Sequence, residues 1–573
     1  MPVHNTDIAE IFNELADMLE IEGANQFRVR AYRNAARVVG DLPHSVSAMV
    51  ERGENLTQLP GVGKDLAGKI EEIVHTGTLE QLKQEESRLP PGLRQLMKVA
   101  GLGPKRVYVL HRQLGITTLS DLRKAALDGR ISTLRGFGKK TEQMIIDELA
   151  EHKGGPKRAK LPVAEEFANS LTAYLKKVEG VGRVEVAGSY RRKKETVGDL
   201  DVLVTCAAGC PVMDRFVEYE DVAKVISKGE TKSSVVFRSG LQVDVRVVPE
   251  ESYGAALHYF TGSKAHNIAV RLMGVKKGLK INEYGVFSDG EAIAGRTESD
   301  VYASVGLPYI EPELRENLGE IEAAGKGALP RLITLQQIRG DLHIHTKETD
   351  GRHTMLEMAE AARNLGYEYI AITDHSKRIA MAHGFDEERL MRRNEEIDRL
   401  NEQLKGIVLL KSIEVDILED GSLDLADWAL KELDLTVCSI HSKFNLSREK
   451  QTERLIRAMD NPCFSILGHP SGRLIDERNP YDVDMERLID AARRRGCVLE
   501  LNAHPDRLDL ADVNCKMAKD AGVKVVISTD AHSKTDLTFM RFGVAQARRG
   551  WLEASDVLNT RSLPQLKKAL RRG

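Results

Sequence analysis

The sequence predicts a multidomain chain that changes fold class twice, from all-helical, through α+β, to a βα barrel. Three observations predict it. A short glycine unit recurs three times inside a helical stretch that ends near residue 150. A period-2 strand pattern with polar residues on one face follows, in VAGSYRRKKETVGDLDVLV and LQVDVRVVP. Beyond residue 340, seven short apolar runs end in His, Asp, Glu or Asn and alternate with helical segments such as MLEMAEAARNLG.

Size and composition fit this division. At 573 residues, and with about 150 residues per domain as a prior, the chain divides into about four domains. It is 29% charged and 42% hydrophobic, as soluble globular proteins are. The net charge of −3 excludes a uniformly basic nucleic-acid-coating protein and leaves local basic faces open. The six cysteines form no zinc-finger spacing, and several sit in apolar runs (TVCSI, NPCFSIL), so free thiols in a reducing compartment are expected. MPVHNTDIAEIF has no basic n-region followed by an apolar run, and no stretch approaches the ~20 apolar residues of a membrane span. A cytoplasmic monomer is the expectation.

In the helical part, DIAEIFNELADMLEIEG keeps helical spacing up to a stop at Gly23, and NQFRVRAYRNAARVVGDLP adds Arg28, Arg30, Arg33 and Arg37. The recurring units are LPGVGKDLAGKI, VAGLGPKRVYVL and LRGFGKKTEQMI. Each has an apolar residue, a glycine-x-glycine turn and then a helix. Glycines let the turn point its N–H groups outward at the positive end of the next helix, which suits a backbone phosphate and reads no base. A single copy would equally suit a turn between two core helices; three copies favour DNA. The unit resembles the helix-hairpin-helix motif of DNA repair proteins and polymerases, and Gly61, Gly63, Gly101, Gly103, Gly136 and Gly138 are the candidate DNA-binding positions.

In GDLDV, alternation puts Asp199 and Asp201 on one face of a strand and Leu200, Val202 and Val204 on the other. Asp244, in VDVRV, lies on the polar face of a second strand. Three acids on neighbouring strands can hold two divalent metals, one activating a primer 3′-hydroxyl and the other stabilising pyrophosphate. GSYRR, GDLDV, VDVRV, YFTGS and NEY occur in the order of the family X DNA polymerases, and residues 1–318 resemble that family. The resemblance implies that Asp199, Asp201 and Asp244 are catalytic metal ligands, with Mg²⁺ or Mn²⁺. It implies that Gly188, Ser189, Arg192 and Gly198 cradle the triphosphate and that Tyr259, Phe260 and Gly262 line the sugar pocket. Asn267 and Arg271, on the next helix, would touch the nascent pair. Val197 and Lys264 depart from the family pattern beside the nucleotide without touching the ligands. Lys69 stands where polymerase beta-like lyase domains carry a Schiff-base lysine, though an exposed helix lysine would look the same and Asp65 replaces a second lysine.

Beyond LGEIEAAGKGALPRLITLQQIRG, which lacks a domain pattern and reads as a linker, the strand-end candidates are His343, His345, Asp350, His375, Glu414, His441, His469, Asp530 and His532. Imidazoles and carboxylates without thiolate suit Mn²⁺, Zn²⁺ or Fe²⁺, and nine donors suffice for three metals. The segment resembles the PHP (polymerase and histidinol phosphatase) domain. That resemblance groups His343, His345, Glu414 and Asp530 on one metal and Glu414, His441 and His469 on a second. Asp350, His375 and His532 would hold a third, with Glu500 and Asn502 as supports. It implies water attack on a phosphoester, as a 3′→5′ exonuclease, an AP endonuclease or a 3′-phosphatase.

The expected layout is thus a helix-hairpin-helix domain (1–85), two further hairpins (86–155), a nucleotidyltransferase palm (156–262), a nucleotide-selection subdomain (263–318), a linker (319–338) and a PHP domain (339–573). The expected function is gap filling on nicked or gapped DNA with dNTPs, in base excision repair or end joining, with a degradative barrel. The alternatives are a PHP phosphatase, or a DNA-end scaffold, with an inactive polymerase half.

Overall fold

The structure, a computed structural model, describes residues 3, 5–40, 42, 46–88, 90, 93–97, 99, 102–134, 136–151, 158–207 and 209–570. The chain forms two compact units, residues 1–157 and 158–573.

Among its described residues the regular elements of the first unit are all helices. Helix Gln26–Gly40 buries Val29, Tyr32, Ala35, Ala36 and Val39, one apolar stripe at helical spacing, against helix Asn5–Ile21. Gly23 follows the latter at φ +79°, the left-handed stop its sequence suggested. A second core gathers Leu96, Val107, Leu110, Leu122 and Ile145. Of the stretch 152–162 that bridges the units in sequence, residues 152–157 lie outside the described residues.

The second unit opens with helix Leu161–Leu175 and a five-stranded sheet in the order Val181–Val186, Asp199–Cys206, Gln242–Val247, Lys232–Phe237, Val222–Ser227. Asp199–Cys206 and Gln242–Val247 run parallel and the other neighbours antiparallel. A smaller α+β part follows, with helices Tyr253–Thr261, Lys264–Lys276 and Glu298–Val305 around a three-stranded antiparallel sheet.

The last part is a barrel of parallel strands: Gly340–Ile344, Tyr369–Ile372, Val408–Lys411 continued as Glu414–Asp416, Val437–Ser439, Ile466–Leu467, Val498–Asn502 and Val525–Ser528. Single bridges join its two sheets, His375 to Glu414 and Ile344 to Ala531. It is therefore a closed but interrupted barrel. Leu566 and Leu570 of helix Leu563–Leu570 cluster with Leu342, Tyr369, Leu410, Val437, Ile466, Val498 and Val526, capping one mouth. The strands' carboxy-terminal ends face the other mouth.

The segment 319–338, which lacks a domain pattern in sequence, is ordered rather than free chain. Glu320, fully buried, accepts from the backbone of Asn317 and Leu318, and Ile333 enters the barrel core. Sheet and barrel also share a core, in which Ile475, Leu508 and Phe542 pack among the palm's Leu200, Val202 and Val243. Lys160 meets Asp506 at 2.6 Å and Arg473 meets Glu195 at 2.7 Å. The described cysteines are free thiols; Cys438, Cys497 and Cys515 are buried and Cys206, Cys210 and Cys463 half-buried. Among the described residues no helix is long and apolar enough to cross a membrane.

Candidate functional site

Parallel pairing sets Asp201 directly opposite Asp244, so alternation along two strands delivers both carboxylates to one face. Asp199 is exposed and Asp201 half-buried. Burial, then the charges of Asp199 and Asp244, push the Asp201 carboxyl up to about 6. Burial also works against ionised Asp244, but hydrogen bonds from Lys232, Ser234 and Gln242 hold it below the usual carboxylate range. Lys232 Nζ lies 3.0 Å from Asp244 Oδ2. Three acids gathered on one face, with Asp201 crowded enough to resist ionisation, are hard oxygen donors, which fits divalent cations.

Gly188 adopts φ +65°, and a Cβ there would stand 3.1 Å from Asp201 Oδ2, so the turn beside the acids requires glycine. A cavity of about 620 Å³ adjoins it. Eight of the nine predicted nucleotide-binding residues line this cavity with Asp199 and Asp201: Gly188, Ser189, Arg192, Tyr259, Phe260, Gly262, Asn267 and Arg271. The ninth, Gly198, sits behind Arg158, whose Nη1 would be 2.9 Å from a Cβ at that position. Asn267 Nδ2 donates to the Tyr259 carbonyl at 2.7 Å, and its Oδ1 is buried without a partner. The sequence reading missed Arg158 and Lys194, both in the wall. Arg158 is anchored to Thr196 through Nε (2.9 Å) and Nη2 (2.7 Å), a contact between segments 38 residues apart. No local pattern announces it.

In the barrel, all nine candidates converge at the carboxy-terminal mouth. Glu414 is central: Oε1 lies 2.9 Å from His469 Nε2 and 3.3 Å from His441 Nε2, and Oε2 lies 2.9 Å from His375 Nδ1 and 3.5 Å from His343 Nε2. Asp530 Oδ1 is 3.1 Å from His345 Nε2 and 3.5 Å from His343 Nε2. Asp350 Oδ2 is 3.2 Å from His375 Nε2 and 3.4 Å from His532 Nε2. His343 Nε2, both nitrogens of His345 and His375 Nδ1 are buried without hydrogen-bond partners. Orphaned imidazole nitrogens around buried carboxylates fit metal ions.

Three groups could each hold an ion: His345, Asp350, His375 and His532; His343, His345 and Asp530; and His375, Glu414 and His441. His345 and His375 each lie within reach of two of these groups. Burial, then His532 and His375, push His345 down to about 4, keeping it neutral with one ring nitrogen free to bind an ion.

Outer contacts orient the rings. Glu500 accepts from His343 Nδ1 at 2.7 Å, Asp416 faces His441 Nδ1 at 3.0 Å, and the Asp530 carbonyl faces His532 Nδ1 at 2.8 Å. Each contact turns the ring's Nε2 toward the cluster. Asn502 Nδ2 bonds Asp530 at 3.0 Å. Arg507, not anticipated from sequence, reaches Asp530 at 3.3 Å and leaves Nη1 buried and unpaired.

In the helical unit the three hairpins share one turn. Val62, Leu102 and Phe137 donate their backbone N–H to Leu59, Val99 and Leu134 at 3.0 Å in each case. Gly63 and Gly103 cap helices Lys64–Thr76 and Pro104–Leu114 without a side-chain bond, and Gly138 precedes helix Lys139–Glu151. Gly61 and Gly136 take φ +76° and +91°. A Cβ at Gly63, Gly103, Gly136 or Gly138 would meet nothing within 4 Å, so open space lies over the free helix starts. Gly101 lies outside the described residues. Lys69 pairs with Asp65, and its Nζ stands 5.9 Å from the centre of the Tyr32 ring.

Family models match these parts in order. The helix-hairpin-helix domain matches residues 3–79, the SAM-like helix-hairpin-helix tandem 93–151, the DNA polymerase beta palm 161–239, the DNA polymerase beta thumb 256–316 and the PHP domain 341–504. Fold and matches together define a polymerase-beta-type core joined to a PHP barrel. The chain is 39% identical over 574 residues to the DNA polymerase/3′-5′ exonuclease PolX of Bacillus subtilis (strain 168), covering 100% of both. It is therefore a member of the family X DNA polymerases, in the PolX group that carries a PHP domain. A protein of Thermoanaerobacter sp. (strain X514) named a probable phosphatase is 31% identical over 232 residues, 38% of this chain and 89% of its own. DNA polymerase lambda of Rattus norvegicus is 25% identical over 344 residues, 55% of this chain and 56% of its own.

Proposed function

We propose that this enzyme fills short gaps in DNA during repair, by base excision or end joining, and trims 3′ ends with its barrel. The observation that carries the reading is the single cavity that gathers eight predicted nucleotide residues with Asp199 and Asp201, in a chain that also builds a nine-residue His/Asp/Glu cluster. The proposed division is hairpin domains at 1–85 and 86–155, palm at 156–262, nucleotide selection at 263–318 and phosphoesterase at 339–573. The proposed setting is the cytoplasm, with the protein acting as a monomer.

In the polymerase reaction the primer 3′-hydroxyl oxygen attacks the α-phosphorus of the dNTP, the bond to pyrophosphate breaks, and the hydroxyl proton leaves. Arg192 and the Gly188–Ser189 turn hold the triphosphate, Tyr259, Phe260 and Gly262 pack the sugar, and Asn267 and Arg271 line the base edge. Mg²⁺ or Mn²⁺ on Asp199, Asp201 and Asp244 would supply charge neutralisation and a more acidic primer hydroxyl. The hairpin glycines hold the DNA backbone without reading sequence.

In the barrel, His343, His345, Asp350, His375, Glu414, His441, His469, Asp530 and His532 would hold three divalent ions (Mn²⁺, Zn²⁺ or Fe²⁺) that supply an activated water and a Lewis acid. Glu500, Asp416 and Asn502 keep the imidazoles and Asp530 aimed inward. The 3′-terminal phosphodiester is the proposed substrate. The likeness of this part to a protein named a probable phosphatase supports a 3′-phosphatase activity at the same site, and an AP endonuclease would need only the same water attack. Lys69 is the candidate for lyase chemistry, tested by borohydride trapping on abasic DNA with and without Lys69→Ala.

A labelled, gapped primer–template with Mn²⁺ tests the whole reading. The primer lengthens when dNTPs are present and shortens when they are absent. A primer unchanged in both arms would overturn it.

A further inference from the structure

Glu316 is where the palm, the thumb-like part and the barrel meet beside the nucleotide cavity. Its Oε1 lies 3.0 Å from Arg192 Nε, 3.1 Å from Arg549 Nη1 and 3.6 Å from Lys194 Nζ. Arg549 ends the barrel helix Met540–Arg549, and its side chain is only 2% exposed. The same Nη1 donates to the main-chain carbonyl of Arg192 at 2.8 Å, across 357 residues of sequence. Its Nη2 donates to Asp512 Oδ2 at 2.5 Å. Arg192 is held once more, by Nη1 on the Thr261 carbonyl at 2.5 Å. With Nε and Nη1 committed to protein acceptors, Nη2 is the group left for a phosphate.

We propose that Arg549 is a positioning residue for nucleotide binding. The barrel half fixes Glu316 and the Arg192 backbone, and through them the arginine that grips the triphosphate. The proposal rests on the reading of this cavity as the nucleotide site.

The chemistry favours arginine for this task. A planar guanidinium with five donors can hold a carboxylate, a carbonyl and a second carboxylate at fixed angles, which a lysine cannot. Glu316 is half-buried, which works against its charge, yet Arg549 first, then Lys194 and Arg192, hold its carboxyl below the usual range. Remove Arg549, and Glu316 answers only to Arg192 and Lys194, so the carboxylate follows Arg192 instead of anchoring it. The main-chain carbonyl of Arg192 loses its donor in the same step. None of the polymerase motifs contains residue 549, so the dependence cannot be read from the palm alone.

The test uses the full chain on a single-nucleotide gap, with Arg549→Met and Arg549→Lys beside Arg192→Ala. Four quantities are measured: KM for the dNTP, kcat, the inhibition constant of pyrophosphate, and primer shortening without dNTPs. Arg549→Met is expected to raise the KM and the pyrophosphate constant together by about tenfold, since pyrophosphate shares the phosphates but has neither base nor sugar. It should leave kcat and shortening within twofold. Arg549→Lys, which keeps the buried charge against Asp512 and Glu316 and carries the test should the methionine variant not fold, falls between wild type and Arg549→Met. If Arg192→Ala leaves the KM unchanged, the nucleotide-site reading itself falls. If Arg192→Ala raises it and both Arg549 variants leave it within twofold, only the proposal falls. Equal losses of extension and shortening in both Arg549 variants would reduce the residue to a folding role and overturn the proposal.

Discussion

In the palm, Asp199 is exposed, Asp201 half-buried, and Asp244 buried against a lysine. In the barrel, His343, His345, His375, Glu414, His469 and Asp530 are buried, and three of the imidazoles carry nitrogens with no hydrogen-bond partner. The palm offers oxygen only, on one open face, and a metal held there would draw further oxygens from the phosphates of a nucleotide. The barrel offers a nearly enclosed set whose rings are already turned by Glu500, Asp416 and the Asp530 carbonyl. The first geometry suits metals that would come and go with substrate. The second suits metals that would stay with the resting protein.

The largest effects follow from cutting either set. On the proposed assignment, Asp199→Ala with Asp201→Ala lowers primer extension by roughly a thousandfold or more and spares shortening, because removing charge stabilisation of this kind forfeits several kcal/mol of transition-state binding. His343→Ala with His345→Ala does the reverse. Gel assays of both activities on one substrate decide it, and joint loss in either variant would mean that the centres are not independent.

Metal removal separates the centres next. Brief chelation followed by desalting stops extension until Mg²⁺ or Mn²⁺ returns, whereas shortening persists and elemental analysis still finds metal on the chain. Prolonged stripping abolishes shortening and lowers the melting temperature by several degrees, because an ion bound only by the folded state stabilises it by mass action. Two activities that vanish and recover together on brief chelation would break the contrast.

Much of both centres was legible in sequence because the signal was local. A two-residue period aims Asp199 and Asp201 together, and strand-end histidines announce themselves one strand at a time. What stayed hidden depends on contacts between distant segments. Arg158 reaches the nucleotide cavity through Thr196, Arg507 reaches Asp530, and Lys232 reaches Asp244 from a neighbouring strand. The order of segment 319–338 was hidden for the same reason, since its Glu320 is held by His266 at 2.6 Å, 54 residues away. The pairing of donors into groups was also out of reach: sequence supplies nine candidate ligands, but only the closed barrel brings His345 within reach of two groups.

Outer supports sharpen the comparison at smaller amplitude. Glu500 holds His343 Nδ1 at 2.7 Å and accepts from the His469 backbone at 2.7 Å, so it fixes two candidate ligands at once. Glu500→Gln keeps the shape and removes the charge that raises ligand basicity. Shortening should fall about 10- to 100-fold, with lower metal content by elemental analysis and unchanged extension. Full activity with full metal would show that the ring is held by packing alone.

The smallest effect has the opposite sign. Lys232 Nζ sits 3.0 Å from Asp244 Oδ2 with its side chain 43% exposed, so it competes with a cation for the carboxylate instead of preparing it. A partly exposed pair is screened and is worth less than about 1 kcal/mol. Lys232→Met should therefore lower the metal concentration at half-maximal nucleotide insertion by only about threefold. Glu500→Gln, which also removes a ligand's partner, should raise the corresponding concentration for shortening. The two titrations moving in opposite directions is what an open site and a prepared site require. If Lys232→Met raises its midpoint instead, the lysine holds Asp244 in place for the metal, and the palm is more prepared than its exposure implies.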